Sequence, residues 1–219
     1  MNSFVNSLLQ RRSFFKAASV LLPAASALLP ATPAEEAAKS LSVFGPRPGY
    51  SPQLGTLVSE MTWMRETVLM SVKGVTTDQL DFLLDRKANT IGALLLHLAA
   101  TEKLYQLNTF DGITPNKLEQ TAAFKEWLIP MELGEPARKT IKGHALDYYL
   151  NLLHEGREKT LAEFRKRDDA WLLAVDQNWG WGPTNNLCKW FHVCEHESNH
   201  NGQIKFIKSR LPGAKPDQG

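Results

Sequence analysis

Apolar positions recur at helical spacing in four stretches of the chain. The first runs from about residue 52 to residue 73. Leu54, Leu57, Val58, Met61, Val68, Leu69 and Val72 fall near one face there, and Gly74 ends it. The second runs from about 89 to 108. It is apolar nearly all round from Ile91 to Ala100, which predicts a deeply buried helix. The third, about 144 to 167, turns Leu146, Tyr149, Leu150, Leu153 and Phe164 inward and keeps a charged outer face. The fourth starts near Thr184, read as its N-cap, and ends before Pro212 and Gly213. Residues 110–143 join the second helix to the third and are expected to hold one short helix, about Asn116–Leu128. Strand signals are almost absent. Four long helices with a long crossover between helices 2 and 3 predict an all-α four-helix bundle.

The first 34 residues follow another pattern. Arg11, Arg12 and Lys16 precede an uncharged apolar run from Ala17 to Leu29, and small residues follow to Ala34. This is the layout of a secretory signal peptide. The run is 13 residues long and contains Pro23. A bilayer span takes roughly 20 residues, so no stable membrane span is expected after signal cleavage. RRSFFK resembles the twin-arginine export signal. That resemblance implies a bacterial protein folded in the cytoplasm and exported whole, to the periplasm or another extracytoplasmic space. Cleavage is expected after Ala34, with Ala27 or retention as an anchor as the alternatives. The chain then divides into a signal (1–34), a Pro- and Gly-rich linker (35–51), the bundle (52–213) and a short tail (214–219).

The formal net charge of the whole chain is +2. Losing Arg11, Arg12 and Lys16 with the signal makes it slightly negative, so no nucleic-acid partner is expected. The two cysteines, Cys188 and Cys194, are six positions apart. On one helix their Cα atoms lie about 9 Å apart, beyond disulfide reach. Two reduced, mostly buried thiols are expected, with Cys194 as a minor candidate for metal ligation.

The six histidines carry the chemistry. His192, His196 and His200 recur every fourth residue, which on a helix forms one stripe. Two imidazoles at that spacing can share a metal. Phe191, Val193, Cys194 and Ile204 around them predict a largely buried helix, where unpaired imidazoles would be costly. His97, in the apolar run ALLLHLAATE, is the candidate third ligand, because a bundle brings facing helices within reach. His144 and His154 lack such context, and His154 is expected on a solvated face.

HESNH also spells the zinc-peptidase signature His-Glu-x-x-His. Such peptidases take their third ligand from later in the chain. The 19 residues after His200 contain no His and no Glu. A di-metal carboxylate bundle would need two Glu-x-x-His motifs, and the chain has one, Glu197 to His200. Both readings are set aside as minor.

NTIGALLLHLAATEKLY (89–105) and WFHVCEHESNHNGQIKFIKSRLPG (190–213) resemble the second and last helices of the DinB-like superfamily of metal-binding four-helix bundles. The likeness covers about residues 52–213. It implies that His97, His196 and His200 hold one divalent metal, commonly zinc or nickel, with water in the remaining positions. It also suits a long crossover at 110–143, and dimers are common in the superfamily, so a homodimer is one expectation. His192 becomes a supporting residue or a proton carrier. Gln203, one turn past His200, becomes a hydrogen-bond partner of a ligand or bound water. Glu197 lies about 100° round the helix from His196 and is read as a packing or supporting residue rather than a general base. Trp179 and Trp181, in VDQNWGWGPTNN, either cap the bundle end or form a wall over the metal, with Tyr105 beside them.

Two function classes stay open. One is an exported enzyme acting on an unknown small molecule, either a hydrolase or a thiol-dependent transferase of the kind that the superfamily includes. Export sits uneasily with thiol cofactors, which are cytoplasmic. The other is a non-catalytic metal-binding or stress-related protein. An open, wet position over the metal favours the first, and a closed apolar one the second.

Overall fold

The computed structural model describes residues 40–215. The export signal expected over 1–34 lies outside the described residues. Four long helices form the bundle: α1 (Pro52–Val72), α2 (Ile91–Thr109), α3 (Leu146–Phe164) and α4 (Asn186–Lys208). Their bounds agree with the hydrophobic pattern to within a few residues.

Local chemistry sets the helix starts. Pro52 opens α1, whose first amides are capped from a distance. Asp169 accepts hydrogen bonds from the Ser51 hydroxyl (2.5 Å) and from the backbone N–H groups of Gln53 and Leu54 (both 3.1 Å). Thr90 caps α2 by accepting from Ala93 N–H at 3.1 Å. The cap of α4 is Asn185, which accepts from Cys188 N–H at 2.8 Å. Thr184, expected in that role, instead pairs with Asp176 in a two-residue antiparallel ladder, β1 (Val175–Asp176) with β2 (Thr184–Asn185).

The crossover is more structured than its composition predicted. In place of one helix at 116–128 it holds four short pieces: Pro115–Leu118, a 3-10 turn Ala122–Trp127, Leu128–Glu132 and Gly134–Thr140. Pro130 lies inside one of them, and Gly134 at φ +68° starts the last. These break any single helical period.

Helix α4 packs against α1 and α2, and α2 packs against α3, while α1 and α3 barely meet. One apolar cluster joins α2 to α3 and the ends of α1 and α4, around Leu95, Tyr149 and Ile204. A second gathers Leu57, Phe164 and Trp190 at the other end. Between them the core is charged. Arg65 of α1, Glu102 of α2, Arg157 of α3 and Glu197 of α4 are each at most 6% exposed. Arg65 bonds Glu197 (2.6 and 2.9 Å) and Glu102 (2.8 Å). Arg157 does the same to Glu102 (2.9 Å) and Glu197 (2.8 Å). Each arginine also reaches a backbone carbonyl of the other's helix, Leu153 and Met61. Burial works against the Glu102 carboxylate, but Arg157 and Arg65 outweigh it and hold its pKa down at about 2.

Two expectations about α4 fail. Phe191 is 55% exposed, and Cys188 is exposed while only Cys194 is buried. Both exposed residues border an open groove between α4 and the start of α1. Both thiols are free.

Candidate metal centre

The buried part of α2 delivers His97, and the stripe on α4 delivers His196 and His200. The three imidazoles meet. His97 Nε2 lies 2.8 Å from His196 Nε2, which lies 3.2 Å from His200 Nε2. Their ring centroids are 4.5–4.9 Å apart.

Partners on the far side of two rings fix the tautomers. His97 Nδ1 is 2.9 Å from the Pro130 carbonyl, which can only accept, so Nδ1 carries the proton. His200 Nδ1 is 3.1 Å from Gln203 Oε1 and donates to it. Both rings therefore aim an unprotonated Nε2 at His196 Nε2. These two lone pairs face His196 Nε2, which can meet them with a proton of its own or, with its proton on Nδ1, add a third lone pair for a cation. Burial lowers the pKa of His97 to about 4 and of His196 to about 3, and lowers that of His200. All three are neutral near pH 7, the form in which histidine binds metal. Zinc–nitrogen bonds of about 2.0–2.1 Å in a tetrahedron hold the nitrogens about 3.3 Å apart, close to the spacing seen. The donor set fits one divalent ion. A second group, His192, Glu195 and His196, also has its ligand atoms within 4.8 Å of one another. It shares His196 with the triad, and its Glu195 is exposed.

His192 is half-buried one turn before His196, with ring centroids 5.0 Å apart. Its Nδ1 and the Tyr105 hydroxyl, 2.8 Å apart, share one proton. Burial lowers the His192 pKa and raises that of Tyr105. Tyr105, His192, Trp179 and Trp181 line one cavity of about 250 Å3, with Thr101 and Met131 at its sides. Thr101 stands on α2 one turn after His97 and bonds its carbonyl at 2.9 Å. The tryptophan loop thus stands against His192, one turn of α4 from the triad. Lys189 anchors it from below. Its buried Nζ bonds Asp176 and Asn108, both at 2.8 Å, and sits 4.4 Å from the centre of the Trp179 ring. Beyond His200 a second groove, about 560 Å3, includes Asn89, Asn199 and Gln203.

Glu197 faces the two arginines and is absent from both candidate donor groups. The remaining histidines stand apart: His144 stacks on Tyr148 at 4.0 Å, and His154 is exposed. Several contributors to the site were not found in the sequence. They are Pro130, Lys189 and the Arg65, Glu102 and Arg157 members of the charged core. The signal available was Glu102, a lone acid five residues after His97 in an apolar helix.

An all-α bundle whose second and fourth long helices bring three imidazoles to one point is the DinB-like class of fold and site. A family model described as Mycothiol-S-transferase matches residues 56–213, which is most of the chain, and the chain belongs to that family. No curated protein matches it.

Proposed function

We propose that the protein is a metal-dependent S-transferase, joining a low-molecular-weight thiol of the mycothiol kind to a small carbon electrophile. The observation that carries this is the convergence of three histidine Nε2 atoms one helical turn from a cavity lined by His192 and Tyr105. The family match favours thiol transfer over the hydrolysis that the sequence left open. His97, His196 and His200 are the proposed ligands, with zinc or nickel as the proposed ion. Held there, the ion supplies Lewis acidity that favours ionisation of a thiol within reach. The Pro130 carbonyl and the Gln203 side chain hold the ligand rings in the binding tautomer. His192 Nδ1 and the Tyr105 hydroxyl hold a proton at the edge of the cavity, within reach of a reactant there. Glu197 has no part in proton transfer.

Export through residues 1–34 is part of the proposal, and comparing the protein in cell fractions with and without Arg11 and Arg12 tests it. The central test is metal content and S-transfer of the purified protein against His97→Ala and His196→Ala. The expected result is one divalent ion per chain and thiol consumption by wild type, with both lost in the variants. A wild-type protein that carries its ion and conjugates no thiol overturns the reading.

A further inference from the structure

Two cavities along α4 differ in chemistry, and along that helix His196 and His200 fall between His192, which lines one, and Gln203, which lines the other. The one on the His192 side is small and apolar. Its walls are the Trp179 and Trp181 rings, 5.8 Å apart and nearly perpendicular, with Tyr105 5.7 Å from Trp179. At about 250 Å3 it exceeds the cavity of about 150 Å3 that takes a benzene ring, and falls short of the roughly 300–1,000 Å3 of drug-sized sites. It suits one substituted aromatic ring. Its polar lining groups are Thr101, the Tyr105 hydroxyl and His192, and Thr101 and His192 stand one helical turn from His97 and His196. The groove on the other side is more than twice as large and mixed, with Asp85, Lys87, Asn89, Asn199 and Gln203 beside the apolar Leu94, Phe206 and Ile207. Gln203 joins it to the triad through His200. A polyhydroxylated thiol matches those donors and acceptors and does not match the tryptophan cavity. There its hydroxyl groups would lose water without replacement partners.

We propose that the two reactants bind on either side of the triad: a planar aromatic electrophile in the Trp179–Trp181 cavity, and the polar thiol in the groove past Gln203. This rests on the S-transfer reading and adds to it a substrate class and an address for each reactant. With an aryl chloride, the thiol loses its proton to solvent and its sulfur forms a bond to the ring carbon. The carbon–chlorine bond breaks, and chloride leaves with the bonding pair.

The test uses the metal-loaded protein, mycothiol, and two electrophiles, 1-chloro-2,4-dinitrobenzene (aryl) and iodoacetamide (small alkyl). Trp181→Ala is the main variant, since Trp181 is 58% exposed and its loss spares the core. Trp179→Phe is the second. The ratio of kcat/KM for aryl over alkyl electrophile is expected to fall at least fivefold in both. Lys87→Ala with Asn199→Ala is expected to raise the KM for mycothiol about fivefold without lowering that ratio. Unreactive 1,3-dinitrobenzene, titrated by calorimetry, is expected to bind wild type and to bind both tryptophan variants at least fivefold more weakly. If S-transfer proceeds but the tryptophan variants change neither the ratio nor this binding, the proposed division is overturned. If 1,3-dinitrobenzene binds through the tryptophans and neither electrophile is conjugated, the aromatic site stands and the S-transfer reading falls.

Discussion

Gln203 and Pro130 do for the metal site what the ligands cannot do for themselves. Each holds a proton on the far nitrogen of an imidazole and so points its lone pair inward. Removing such a partner commonly costs 10- to 100-fold in metal affinity. Gln203→Ala is therefore expected to retain the fold and bind zinc about tenfold more weakly, as read by competition with a chelator. Unchanged affinity would mean that Gln203 does not orient His200. The same rings make the metal-free protein acid-sensitive. The folded-state pKa values of His97 (about 4) and His196 (about 3) lie below the ordinary value near 6.5. The unfolded chain therefore takes up protons first, so stability is full above about pH 6.5 and declines as pH falls toward 4. Urea midpoints of the metal-free protein at pH 7 and pH 5 should differ by well over the experimental error, with the lower at pH 5. The cysteines divide in the same way. Burial pushes the Cys194 thiol up to about 12, while Cys188 is exposed. One thiol per native chain should react with a disulfide reagent, and two in denaturant.

Each ligand helix could be found from its own sequence, because its chemistry is local. A four-residue histidine spacing and an all-apolar turn around His97 are readable without a partner. The charged core is not local. Arg65, Arg157 and Glu197 resemble ordinary surface residues until four helices meet, and although Glu102 stands out in its apolar helix, nothing in the spacing of any one helix pairs the four. The same limit explains the crossover, where Pro130 and the positive φ of Gly134 direct the chain by tertiary fit. It also explains the two exposed residues of α4, since Phe191 and Cys188 fit the pattern of a buried helix that is in fact covered on fewer faces. At this scale Gly92 offers a further test. A Cβ there would stand 2.7 Å from the Tyr149 hydroxyl, on a fully buried ring. Overpacking costs about 1–3 kcal/mol, against about 1 kcal/mol gained by Ala over Gly in a helix. Gly92→Ala should thus lower stability by about 1 kcal/mol in denaturant titration, and a gain would show that Tyr149 moves freely.

At the scale of the molecule, the charged core sits where α1 and α3 would otherwise leave a gap. Its two acids stand on the two ligand helices and its two bases on the others. Arg157→Met strands a buried carboxylate, which typically costs about 3–5 kcal/mol, a large share of a total near 5–15 kcal/mol. Denaturation of that variant should show a loss of this size, and a loss under 1 kcal/mol would mean that the cluster is solvated. The bundle as a class was legible because helical period and length are properties of the chain. The cavity beside the triad was legible only as a candidate, since its depth depends on how Lys189 pulls the Trp179 loop inward.

The four charges sum to zero with all four helices in place, and no set of three balances. A species with three helices docked must bury an unmatched ion or leave its centre open to water. The arrangement acts as a roll-call at the middle of the molecule, and no three helices can answer it without the fourth. Partly assembled forms are penalised most where the fold is nearly complete, so the chain is expected to pass from open to closed in one cooperative step. Tryptophan fluorescence, weighted toward the end that holds Trp171, Trp179 and Trp190, and helical circular dichroism, which reports the whole bundle, should therefore follow the same unfolding curve.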